Sequence, residues 1–135
     1  MVLPYPSWYC DPILTVSSKG PPVSTDPIVT DPQRYQVIFE NDRVRILEYR
    51  DKPGEGTHWH GHPDTVLVPL ASFRRRISAD GRQVEVELVA GQPRWVGAQE
   101  HAGENIGDTD SHALFIELKE PSATPGAPVV GPSPN

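Results

Sequence analysis

The run Gly54-Glu55-Gly56-Thr57-His58-Trp59-His60-Gly61-His62 reads G-x5-H-x-H, and a second stretch beginning at Gly91 closes in His101-Ala102-Gly103-Glu104-Asn105, an H-x3-N ending. Side chains alternate faces along a strand, so His60 and His62 leave the same face. An H-x-H pair alone is a weak signal. Met by His101 from another strand, it makes a site for one metal ion. Neutral imidazole suits iron, zinc, nickel and copper alike; with manganese added, the expected cofactor is one divalent transition metal ion of open identity (Fe, Mn, Zn, Ni or Cu). Three protein ligands leave positions free for water, dioxygen or substrate, which is the pattern of catalytic metals.

Three neighbours are candidates for proton handling: His58, Asp64 and Glu104. His58 alternates in phase with the two histidines, but it lies in a turn where phase is easily lost. Asp64 has three readings: it ligates, it orients an imidazole N–H, or it caps the turn at Pro63. Glu104 is an acid or base near His101, or an exposed side chain. Trp59 and Trp95 flank the motifs and are expected to pack in the core. Arg45 and Tyr49 share one strand face and Glu48 takes the other. Facing inward, Arg45 would attract an acidic substrate; otherwise it pairs with an acid such as Glu117, and the pair is the expectation. His112 is expected on the surface.

These residues need a scaffold of short strands. Tyr35–Glu40 and Val44–Arg50 flank an Asn41-Asp42 turn, and residues 65–70 are rich in β-branched side chains. Pro69 cannot donate to a ladder and belongs at a strand end, edge or bulge. Strands at 73–78 and 83–89 flank Ala79-Asp80-Gly81-Arg82, a hairpin signal, and strands at 93–96 and 113–119 complete the set. No helical period is evident, and short strands between glycines and prolines predict an all-β sandwich or barrel.

Composition bounds the function. A chain of 135 residues suits one domain, and a net charge of −6 argues against nucleic acid as a partner. The clusters Arg43/Arg45 and Arg74-Arg75-Arg76 read as solvated strand faces. Cys10 is the sole cysteine, which excludes an intrachain disulfide. No apolar run approaches the ~20 residues of a membrane helix. Prolines break the first residues, so no signal peptide is expected and a cytoplasmic location follows by default. Residues 1–33 hold repeated Asp-Pro pairs, with Tyr5, Trp8, Tyr9, Ile13 and Leu14 too apolar for a solvated tail. They are expected to form an arm lying along the barrel or a neighbouring subunit. Residues 120–135 read as a flexible Pro/Gly-rich tail.

With its paired motifs and the hairpin between them, the chain from about Arg34 to Lys119 resembles the cupin superfamily, and within it the small single-domain bacterial cupins, most of which have no assigned activity. The resemblance implies a jelly-roll-like barrel of six to eight strands over residues 34–119, preceded by the extended N-terminal arm and usually dimeric, with the site in its open mouth. It carries His60, His62 and His101 over as metal ligands and Asn105 as a structural residue. The family's glutamate would fall near Thr65 to Leu67, where no carboxylate stands, and Gly97 and Gln99 replace the second motif's proline and glycine. The fourth ligand is therefore Asp64, water, or a side chain reaching in from Gln99 or Glu104. The expected function is that of a mononuclear metalloenzyme, oxygenase-like or isomerase/lyase-like, acting on a small organic substrate as a homodimer. The alternatives are a non-catalytic binding module and a metal-free, epimerase-like cupin.

Overall fold

A computed structural model of the chain describes residues 25–120. The expectations for residues 1–24 and for the tail beyond 120 lie outside the described residues. Asp26 accepts the Ile28 N–H as N-cap of a one-turn helix, α1 (Pro27–Thr30), which Pro27 opens. Nine strands follow: β1 (Tyr35–Glu40), β2 (Val44–Asp51), β3 (His60–His62), β4 (Thr65–Pro69), β5 (Phe73–Ala79), β6 (Arg82–Leu88), β7 (Arg94–Val96), β8 (Gln99–Asn105) and β9 (Ser111–Leu118). They form two antiparallel sheets, ordered β1-β2-β9-β4-β7 and β3-β8-β5-β6.

The turns obey local chemistry. Asn41 Oδ1 accepts the N–H groups of Arg43 and Val44, closing β1 onto β2. Asp80 and Gly81 both take positive φ, the two-residue turn that matches strand twist between β5 and β6. Pro69 ends β4, as its missing N–H requires.

The nine strands of the described residues exceed the six to eight implied by the resemblance, and around His101, expected on a strand of unstated bounds, β8 runs for seven residues. Its sequence, Gln-Glu-His-Ala-Gly-Glu-Asn, has almost no strand-favouring residue. Ladders on both sides hold it extended: His60 pairs with His101 toward β3, and Arg75 with Asn105 toward β5.

The core lies between the sheets in two clusters. Leu67, Phe73, Leu88, Val96 and Ala113 form one; Tyr35, Leu47 and Tyr49 form the other, and Phe115 packs against both. Along β2, Arg45, Leu47, Tyr49 and Asp51 are buried on one face. Arg75 is buried too, which corrects the expectation of a solvated strand face for the 74–76 cluster. β5 alternates, so the middle arginine points inward while its neighbours stay more open. Trp59 and Trp95, expected in the core, are instead 44% and 41% exposed. Trp59 donates to Glu100 on the outside.

Candidate metal centre

β3 supplies His60 and His62, and the adjacent β8 supplies His101 directly opposite His60. All three are buried, and one ring nitrogen of each lies within 4.8 Å of the others. The ring centroids stand 4.9 to 5.5 Å apart. The opposite nitrogens settle which atoms converge. His60 Nδ1 lies 2.8 Å from the His58 carbonyl oxygen, His62 Nδ1 2.7 Å from Glu117 Oε2, and His101 Nδ1 2.9 Å from Gln99 Oε1. A carbonyl oxygen and a carboxylate can only accept, so Nδ1 of His60 and of His62 carries the proton; Gln99 holds His101 the same way. In the neutral ring each Nε2 then carries the lone pair, on the side of the common centre, the arrangement found around metal-bound histidines.

Electrostatics favours the same state. Burial, reinforced by the neighbouring His62, pushes His60 down to about 3. Burial and the other two imidazoles hold His101 well below its ordinary value. Metal binding needs neutral imidazole, so these two rings are suited to hold an ion.

The outer layer is ionic. Glu117 lies between His62 and Arg45, whose Nε donates to Glu117 Oε1 at 2.8 Å. Arg45 Nη1 and Nη2 donate to the two oxygens of Asp26, at 2.9 and 3.1 Å. The expected Arg45–Glu117 pair is therefore present, and it is buried rather than exposed. Asp31 accepts the His58 N–H and lies 4.0 Å from His60 Nδ1.

Beside the histidines lies a cavity of about 40 Å3. Leu67, Phe73, Ile77, Val86, Leu88, Val96 and Phe115 give it apolar walls, while Tyr35, Tyr49, His60, His101 and Arg75 add polar groups. Arg75 Nη1 donates to Asp51 at 2.6 Å and to Ser111 at 3.2 Å, and Nη2 donates to the Tyr49 hydroxyl at 3.1 Å. Tyr49 donates in turn to Asp51. Asn105 Nδ2 ties Asp51 to the Thr109 carbonyl, matching its expected structural role.

The three candidates for proton handling lie elsewhere. His58 does not share the cavity: its ring is 77% exposed and sits 2.9 Å from Asp31. Strand phase begins only at His60, so alternation did not reach His58. Asp64 is buried, and its Oδ1 accepts the Ala98 N–H at 2.9 Å, bracing the turn between β7 and β8. Glu104 is exposed and pairs with Arg76 at 3.4 Å. His112 is half-buried against Glu48. Among the described residues, no carboxylate joins the histidine cluster.

The residue that sequence reasoning passed over is Tyr35. Its hydroxyl lies 3.3 Å from His60 Nε2 and 3.5 Å from His62 Nε2, and burial holds its pKa well above the ordinary value. The available signal was its place as the first inward residue of β1. Asp26 and Asp31 stand in two of the repeated Asp-Pro pairs, and Asp26-Pro27 is a helix-start signature.

No family model matches the chain, and no curated protein does. Solved structures do. A cupin domain from Bordetella pertussis Tohama I is 31% identical, with a TM-score of 0.60, over 64% of this chain and 92% of that one. A cupin superfamily protein from Desulfitobacterium hafniense DCB-2 is 24% identical, with a TM-score of 0.50, over 64% and 76%. A double-stranded β-helix domain protein from Klebsiella pneumoniae shares the fold at 15% identity, with a TM-score of 0.53, over 84% and 90%. The chain belongs to the cupin superfamily.

Proposed function

We propose that the chain is a mononuclear metalloenzyme acting on a small organic molecule, with one divalent transition metal ion held by His60, His62 and His101. The observation that carries this reading is the engagement of all three Nδ1 atoms by outer oxygens, which aims three Nε2 lone pairs at one point. An ion there would supply Lewis-acid or dioxygen-activating chemistry, suited to an oxygenase-like or an isomerase/lyase-like reaction. The apolar walls bind the body of a substrate and exclude water, and polar groups at the histidine end orient its oxygen function. A non-catalytic binding role is the second reading, supported by the engagement of Asp64 and Glu104 elsewhere. The assembly we propose is a homodimer, supported by Ile38 and Phe39, about half exposed on the outer strand β1.

Elemental analysis of protein purified without an affinity tag tests the metal. One transition-metal ion per chain, lost in His60→Ala, is the expected result. A metal-free pocket that also refuses added zinc, iron and copper overturns the reading.

A further inference from the structure

We propose that Tyr35 is the fourth protein donor of this centre, its oxygen binding the ion beside the three imidazoles; the proposal rests on the metal reading above. The first argument concerns hydrogen-bond partners. Tyr35 is 5% exposed, and among the described residues its hydroxyl has two partners, Nε2 of His60 and Nε2 of His62. Those lone pairs are the ones an ion takes. Loading the site removes both acceptors, and a buried hydroxyl without a partner is costly. Binding the ion is the remedy nearest to hand.

The second argument is distance. With metal–nitrogen bonds of ~2.05 Å, neighbouring donors of one ion stand ~2.9 Å apart in an octahedral shell, which keeps positions open beyond four protein donors, and ~3.3 Å apart in a tetrahedral one. The Tyr35 oxygen stands 3.3 and 3.5 Å from two of the three nitrogens, close to the larger of these spacings. The third argument is elimination. Asp64 accepts from Ala98, Gln99 Oε1 faces His101 Nδ1, and Glu104 pairs with Arg76, so the side chains that the sequence offered are turned to other partners. On binding, the phenol O–H bond breaks, an oxygen–metal bond forms, and the proton leaves to solvent.

Copper(II) is the probe, one equivalent added to the metal-free full chain. The wild-type protein is expected to develop a phenolate-to-copper charge-transfer band, with tyrosinate ring modes enhanced in resonance Raman. Tyr35→Phe keeps the ring contacts with His60 and Phe115 and is expected to bind copper without the band. Its zinc affinity should fall at least ~10-fold in chelator competition, since losing a ligand costs no less than losing an outer partner. Bound copper without the band in wild type, or with the same band in Tyr35→Phe, overturns this proposal alone. Failure of wild type to take up copper overturns it together with the metal reading. Should Tyr35→Phe not fold, the wild-type Raman spectrum decides: tyrosinate modes support the proposal and their absence overturns it.

Discussion

Glu117 does two jobs with one carboxylate. At 2% exposure it accepts from His62 on one oxygen and from Arg45 on the other. A carboxylate behind a ligating imidazole raises its basicity and fixes its tautomer. In Glu117→Gln the shape stays and the charge goes. Zinc affinity, read by chelator competition, is expected to drop ~10- to 100-fold. Arg45 keeps Asp26 but loses its other anion, so urea denaturation should show a loss of about 3 kcal/mol, the low end for breaking a buried ion pair. Unchanged affinity would mean that the carboxylate merely neutralises Arg45.

At the scale of elements, the approach of the 56–57 segment to β8 sets where His101 sits. Gly56 bridges to Glu104, and Thr57 N donates to Gly103 O at 2.8 Å. A Cβ on Gly56 would lie 2.5 Å from that same carbonyl and 3.3 Å from Glu104 Cα, both backbone atoms that cannot swing aside. Gly56→Ala is therefore expected to cost ~1–3 kcal/mol in urea unfolding, with weaker metal binding as β8 shifts. Equal stability to wild type would show that the strands separate freely there. The histidines were legible because their spacing matches the paired motifs that carry the resemblance, and the strands with β-branched residues and the Asp80-Gly81 turn were legible from local chemistry. What stayed hidden was non-local. β8 is extended because its neighbours hold it, and Arg75 is buried because Asp51, at the end of β2 in the other sheet, receives it. Tyr35 reaches the histidines only once the sheets face each other, which no local pattern announces.

Across the whole molecule, the buried imidazoles tie stability to pH. His60 stays neutral in the folded metal-free protein down to about 3, against 6.5 ordinarily, and His101 is depressed in the same direction. Below pH 6.5 the unfolded chain takes up protons that the folded one refuses, so stability is full above 6.5 and falls as pH drops toward 3. Each such histidine contributes a slope of up to about 1.4 kcal/mol per pH unit. Urea melts of the metal-free protein between pH 7 and pH 4 should show this decline; a flat profile would contradict neutral burial. The stretch before the barrel bears on the same rings from outside. Gly61, between two of them, donates to the Thr25 carbonyl, while Asp26 grips Arg45 and Asp31 sits behind His58 and His60. A protease nick or bulky fusion that peels this leader off before Arg34 would slacken the rings from behind, so ion occupancy doubles as a gauge of whether the leader is seated.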